Sequence, residues 1–267
     1  MSESPFSLKV DNLSGGYNGI TVFHGASFSA HSGDIVVVLG PNGSGKTTLL
    51  RTMLGLIPAL SGVSRMLDVD MHKAPVRRRA EICSWVPQLF EPAWSYSVYD
   101  IVAQGRFVHA GPLRQFGKAD ERAIQEALRA MDIAELIDKP INELSGGQAR
   151  RVLVARALAQ ETPLIALDEP AAHLDPGRQM ELLDVLKDLA RLQKTVIISL
   201  HDVNLAYRLA TRAVLITPEG PVLSGSPEEV LTHDNLEKAY ETEFLHGNLD
   251  IFGKFSLPIS RTKGTQQ

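Results

Sequence analysis

Cysteine is nearly absent: Cys83 is the only one in 267 residues. No internal disulfide can form, so the fold rests on its core and a reducing compartment is expected. Cys83 lies in the apolar run Ile82-Cys83-Ser84-Trp85-Val86 and reads as a buried strand residue, not a reactive thiol. Long hydrophobic runs are also missing. No stretch approaches the about 18 apolar residues that a spanning helix requires, so any membrane role is expected to come through a partner. The start, MSESPFSLKV, has no basic region followed by an apolar one, which argues against a signal peptide. There is no basic excess either. With 27 Lys and Arg against 31 Asp and Glu, the formal charge is −4, and no nucleic-acid partner is expected. Internal repeats and low-complexity segments are lacking as well, so the chain reads as ordinary globular sequence.

What is present is a glycine-rich string in a specific setting. The β-branched run Ile35-Val36-Val37-Val38-Leu39 is followed by Gly40-Pro41-Asn42-Gly43-Ser44-Gly45-Lys46-Thr47-Thr48. Then comes Leu49-Leu50-Arg51-Thr52-Met53-Leu54, which reads as a helix. Buried strand, tight turn and helix together make a G-x-x-x-x-G-K-[ST] match a phosphate-binding loop. Glycines let the backbone approach phosphate oxygens without a Cβ in the way. Successive N–H groups then point at the anion from the positive end of a helix. Lys46 is expected to reach the β- and γ-phosphates of a nucleotide, and the Thr47 hydroxyl to ligate Mg²⁺.

Around this loop the pattern is α/β. Ser7–Val10, Thr21–Ala30 and Ile35–Leu39 read as strands punctuated by Gly15-Gly16 and Ser32-Gly33, an antiparallel region leading into the first core strand. Val63–Leu67 reads as an edge strand, and Ile82–Val86 as a strand ending at Pro87-Gln88. From Phe90 to Asn142 the spacing turns helical: Val98–Ala103 and Asp120–Met131 are expected helices, Asp120 as a cap, with a glycine-marked loop between them. From Leu164 on, strands and helices alternate in βαβ order, which implies a parallel sheet covered on both faces. The expected fold is therefore a P-loop NTPase core with a parallel sheet, an N-terminal antiparallel β subdomain and an inserted α-helical subdomain. Arg261–Gln267 read as a frayed polar tail.

Two further strings carry chemistry. Leu164-Ile165-Ala166-Leu167-Asp168-Glu169-Pro170 is an apolar strand ending in two acids. At a strand's end both can reach a site above the sheet. Asp168 suits a Mg²⁺ ligand, and Glu169 a general base acting on water. Leu144-Ser145-Gly146-Gly147-Gln148 precedes a helical run to Gln160. Alone it reads equally as a second anion-binding helix start or as an N-cap with flexible glycines.

GPNGSGKTT, LSGGQ and LIALDEP, in this order, resemble the nucleotide-binding subunits of ATP-binding cassette (ABC) transporters over roughly Leu8–Leu245. The resemblance implies an ATPase domain at 1–245, with the helical insert at about 90–160, followed by a C-terminal strand and polar tail at 246–267. By the same resemblance, Tyr17 stacks on adenine, and Gln88 contacts Mg²⁺ and water and signals to a membrane subunit. His201 is the switch at the γ-phosphate, and Asp175, in Ala172-His173-Leu174-Asp175, belongs to the loop that crosses a dimer interface. It implies a head-to-tail dimer in which Ser145, Gly146, Gly147 and Gln148 of one copy close on ATP and Mg²⁺ held by the other. Two integral membrane subunits and, indirectly, a periplasmic or surface solute-binding protein complete the expected assembly. The chain's expected place is peripheral, at the cytoplasmic face of the inner membrane. Two positions depart from the family's pattern: Ala171 where threonine is usual, and Ala149 where a basic residue is usual. Ser97–Arg106 and Gly225–Thr232 look most like the iron-chelate (siderophore or haem) and vitamin B12 importers. Zinc, manganese or molybdate import, an export ATPase and a soluble non-transport ABC ATPase stand as alternatives.

Overall fold

The computed structural model describes residues 6–88, 90, 94–110, 116–172, 174–218, 222–249 and 253–259. β1 (Leu8–Tyr17) and β2 (Ile20–Ala30) turn at Asn18-Gly19, whose φ values are 52° and 79°. That is the conformation a two-residue hairpin turn needs. The turn expected at Gly15-Gly16 is corrected: both glycines lie inside β1, at register shifts. A Cβ on Gly15 would sit 2.4 Å from Thr52 Oγ1 and 2.6 Å from the Phe23 ring. The glycine is there for close packing.

β3 (Ile35–Leu39) leads into α1 (Lys46–Met53). β4 (Ala59–Met66) and β5 (Val69–Asp70) return to the antiparallel sheet, whose order is β2-β1-β4-β5. Val63–Met66 is therefore not at an edge: β1 lies on one side of β4 and the two-residue β5 on the other. A pairing that short leaves no periodicity to read. α2 (Val76–Ile82) and β6 (Cys83–Val86) follow. Cys83 is buried, and burial pushes its thiol pKa up, as an inert strand residue requires.

The helical insert contains α3 (Val98–Ala103), α4 (Lys118–Ala130) and α5 (Gly146–Ala159). Ser97 and Asp100 cap α3 reciprocally. α4 starts before Asp120, which acts from inside the first turn: its Oδ2 accepts the Gly117 N–H at 2.9 Å and its Oδ1 takes Arg106 Nε at 2.9 Å. A 3₁₀ turn at Gln104–Val108 begins the connection expected to be looped; Gly111 and Pro112 lie outside the described residues.

The rest alternates: β7 (Leu164–Asp168), α6 (Pro176–Arg191), β8 (Thr195–Ser199), α7 (Val203–Leu209), β9 (Arg212–Leu215) and β10 (Leu223–Gly225). The main sheet runs β10-β9-β3-β8-β7-β6, parallel except for β10. Both faces are buried. Val37, Leu39, Ile165, Leu167 and Ile198 pack under α3 to α7, whereas Val36, Val38, Leu164, Ala166 and Ile197 pack against α1 and the antiparallel sheet. Alternate residues of each strand thus serve two cores, which is why these strands read as unbroken apolar runs.

α8 (Pro227–Val230), α9 (His233–Tyr240), β11 (Glu243–Leu249) and β12 (Gly253–Ile259) close the chain. β11 and β12 pair as an antiparallel hairpin, so the single C-terminal strand expected at 246–267 becomes two, and residue 245 lies within β11. The Asn204 side chain of α7 holds the hairpin by giving one bond to Ser256 O and taking one from Ser256 N–H, at 3.1 and 2.9 Å. Arg261–Gln267 lie outside the described residues. Among the described residues no helix is long and apolar enough to cross a membrane.

Candidate functional site

Sheet order assembles the site. The P-loop follows β3, His201 follows β8, Asp168 ends β7 with Glu169 next, and Gln88 follows β6. In the order β3-β8-β7-β6 these strands are neighbours, and their C-terminal ends meet where such sheets bind ligands.

α1 starts at Lys46 with Gly45 as N-cap at φ 102°. A Cβ at Gly45 would lie 2.7 Å from Val22 Cγ1, so the β1–β2 hairpin rests directly on the loop. The turn residues Pro41, Asn42 and Gly43 remain accessible, while Lys46 and Thr48 are buried. Lys46 is 5% exposed; its Nζ donates to Gly40 O at 2.9 Å and Pro41 O at 3.2 Å, and lies 3.4 Å from Glu169 Oε1.

Asp168 is fully buried and bonded on both oxygens. Thr47 Oγ1 donates to Oδ2 and Ser199 Oγ to Oδ1, both at 2.7 Å. Ser199 is the register partner of Asp168 across β7 and β8, and its Oγ also accepts the Glu169 N–H at 2.9 Å. Glu169 adopts φ 47°. This left-handed residue breaks strand alternation, so its side chain turns to the same edge as that of Asp168. Glu169 Oε2 accepts Gln88 Nε2 at 3.0 Å. Lys46, Glu169 and Gln88 therefore form one continuous polar line.

These residues fit a nucleotide and its metal. Ser44 Oγ is buried without a hydrogen-bond partner among the described residues, beside a buried ammonium and the N-terminus of α1, which together suit phosphate. Thr47 and Asp168 offer adjacent hard oxygen atoms. No group of three or more His, Cys, Asp or Glu able to hold a metal occurs among the described residues. That donor set suits Mg²⁺, which takes one or two protein oxygens and completes its shell with phosphate and water.

The remaining expected residues lie as follows. Tyr17 is 42% exposed at the end of β1, with Ile20 and Val22 exposed beside it. His201 stands exposed just beyond β8. Ser145 caps α5: its Oγ accepts the Gln148 N–H at 3.3 Å, and its own N–H donates to Gln148 Oε1 at 3.0 Å. Ser145 and Gly146 are exposed. Among the described residues no hydrogen bond joins residues 145–148 to residues 40–48. Asp175 caps α6 through the Arg178 N–H at 3.0 Å; its neighbour His173 lies outside the described residues.

Three positions that support the candidate site escaped the sequence reading: Val22 against Gly45, Ser199 beside Asp168, and Arg150, which bonds the Pro87, Asp168 and Glu169 carbonyls. Ser199 carried a faint signal, a hydroxyl closing the apolar strand Val196-Ile197-Ile198. Ser199→Ala strands one oxygen of a buried carboxylate and the Glu169 N–H. It is expected to cost about 2–4 kcal/mol of stability, two buried groups each losing a partner. A denaturation midpoint equal to that of the unaltered chain would contradict this.

Comparison with known proteins agrees with the geometry. The ABC transporter family model matches residues 23–172. The iron(3+)-hydroxamate import ATP-binding protein FhuC of Bacillus subtilis (strain 168) is 33% identical over 238 residues, covering 89% of this chain and 88% of FhuC. The ferric enterobactin transport ATP-binding protein FepC of Escherichia coli (strain K12) is 33% identical over 241 residues, covering 90% and 89%. A chain from an inward-facing transporter described as of metal-chelate type superposes with a TM-score of 0.82 at 30% identity, covering 96% of this chain and 99% of that one. The chain belongs to the ABC transporter family, as an ATP-binding subunit with ATPase activity coupled to transport.

Proposed function

We propose that this chain is the ATPase of a metal-chelate importer, with an iron-siderophore, haem or cobalamin as cargo. The observation that carries the cargo class is the end-to-end likeness to a metal-chelate type transporter chain together with the two ferric-chelate relatives. Lys46 and the loop N–H groups bind the phosphates, and Tyr17 with its exposed apolar neighbours offers a face for the base. Thr47 and Asp168 would hold Mg²⁺, which neutralises phosphate charge, and Gln88 would reach the same shell. Glu169 takes the proton from the water that attacks the γ-phosphorus in line, and His201 steadies the transferring phosphoryl group. Ser145 and Gly146 stand exposed at the start of α5, with Gly147 and Gln148 half-buried behind them, which suits completion of a site in a second copy; Asp175 belongs to the loop that faces that copy. Two separate membrane subunits move with dimer closure, the chain lies on their cytoplasmic face, and a solute-binding protein delivers cargo outside.

The cargo is tested by reconstituting the chain with its genomically adjacent permease and binding protein in proteoliposomes. Ferric hydroxamate, haem, cobalamin and Mn²⁺ are offered one at a time. Uptake and ATPase stimulation by a chelate are expected; stimulation by Mn²⁺ alone overturns the cargo reading.

The docking surface follows from sorting four aromatics of the insert. Phe90 packs on the core with the Arg156 guanidinium 5.3 Å from its ring centroid, and Tyr99 packs there too, bonding Glu121 Oε2 at 2.9 Å. Both serve the insert itself. Trp94 is 74% exposed and Tyr96 is exposed beside it. An indole left in water, six positions after Gln88 in the sequence, suits an anchor for a short helix of a membrane subunit. Trp94→Glu is expected to fold and bind ATP normally but to lose co-purification with the membrane subunits. A variant that still assembles and transports would move the contact elsewhere.

A further inference from the structure

We propose that Arg150 is a positioning residue for hydrolysis, fixing the backbone on which Glu169 and Gln88 stand. It rests on the reading of Glu169 as general base. Arg150 lies on α5 and is 7% exposed. Its Nη1 donates to Pro87 O at 2.5 Å, and its Nη2 donates to Asp168 O at 2.9 Å and Glu169 O at 2.6 Å. One guanidinium therefore grips the peptide before Gln88 and the carbonyls of both acids.

Three features set this contact apart from an ordinary core arginine. Its hydrogen-bond acceptors are backbone carbonyls, so what it fixes is chain path. Burial lowers its pKa, opposed by the charges of Asp168 and Glu169. A cation held against desolvation by main-chain acceptors is a costly way to fill space, and an apolar side chain would be cheaper. Finally, Glu169 occupies a left-handed conformation unfavourable to a residue with a Cβ. Ser199 Oγ takes its N–H and Arg150 takes its C=O. The turn is held from both ends, and those bonds define where the carboxylate lies between Lys46 and Gln88.

The test compares Arg150→Ala, Glu169→Gln and the double variant in the purified full chain, by single-turnover hydrolysis and by binding of a fluorescent ATP analogue. Arg150→Ala is expected to lower the hydrolysis rate between about tenfold and a hundredfold, the scale of a small misplacement of a reacting group. Nucleotide affinity is expected to change less than about threefold, because interactions lost only in the transition state leave ground-state binding alone. In the Glu169→Gln background the same change is expected to cost less than about twofold, since residues acting as a unit are not additive. Arg150→Lys, which keeps a donor and the charge, should recover part of the rate. If Arg150→Ala does not fold, Arg150→Lys and Arg150→Gln carry the same comparison; failure of all three to fold makes Arg150 a core residue and overturns the proposal. So does full activity of Arg150→Ala beside an inactive Glu169→Gln, or an equal fold-loss in both backgrounds. Near-normal hydrolysis by Glu169→Gln removes the base reading, and this inference with it.

Discussion

Glu169→Gln is expected to lower steady-state ATP turnover by at least about a hundredfold while ATP still binds, the scale of a lost general base. Glutamine keeps the volume and the hydrogen bond from Gln88 Nε2, now 3.0 Å from Glu169 Oε2, but it does not accept a proton from water. The substitution also removes the carboxylate 3.4 Å from Lys46 Nζ. Lys46 keeps the Gly40 and Pro41 carbonyls and is freed for phosphate. A negative charge next to the γ-phosphate disappears as well, so affinity should not weaken. Binding without hydrolysis leaves the closed form nowhere to go, and an ATP-loaded dimer should accumulate on size-exclusion chromatography. Hydrolysis by this variant at close to the unaltered rate would take Glu169 out of the role.

Much of this site was legible because its chemistry is local. Gly40 to Thr48 is one unbroken string between a β-branched strand and a helix, and that context alone announces phosphate. Asp168 and Glu169 adjoin at the end of an apolar strand, so their address was readable too. What sequence order conceals is lateral order in the sheet. β3 and β7 flank β8, and that placement puts Thr47 within 2.7 Å of Asp168 across 121 positions. No periodicity encodes it. The left-handed turn at Glu169 was equally hidden, because the residue itself does not favour it; Ser199 and Arg150 stabilise it from two other elements. Arg150 shows the difficulty well. In a helix that begins Gly-Gly-Gln-Ala-Arg-Arg, adjacent arginines look alike, yet Arg151 bonds Met131 O and Asp132 O on the insert while Arg150 turns to the end of β7. Gly15-Gly16 misled for a related reason: glycine signals a turn and a close approach alike, and only the neighbouring Thr52 and Phe23 decide between them. The aromatics around Gln88 divided the same way, two into the insert's own packing and two into solvent.

Lys46→Ala is expected to abolish both nucleotide affinity and turnover without unfolding the chain. The ammonium donates to Gly40 O and Pro41 O and faces Glu169, which places its charge inside the turn that we propose takes the phosphates. Losing two charge-assisted bonds to phosphate, at about 1.5–3 kcal/mol each, corresponds to roughly 10²–10⁴-fold in affinity. Hydrolysis should fall further, because the same charge counters the charge that spreads over the γ-phosphoryl oxygens during transfer. Stability behaves differently. Deleting the side chain removes a buried cation and its desolvation cost, while Glu169 keeps its bond from Gln88 and some access to water. The two changes oppose each other, so the melting temperature in the absence of nucleotide should move by no more than about 2–4 °C, the span of about 1 kcal/mol for a chain of this size. The two readouts together identify the role. A lost melting transition would make Lys46 structural, and an unchanged equilibrium affinity for a labelled ATP analogue in a folded variant would sink the P-loop assignment itself.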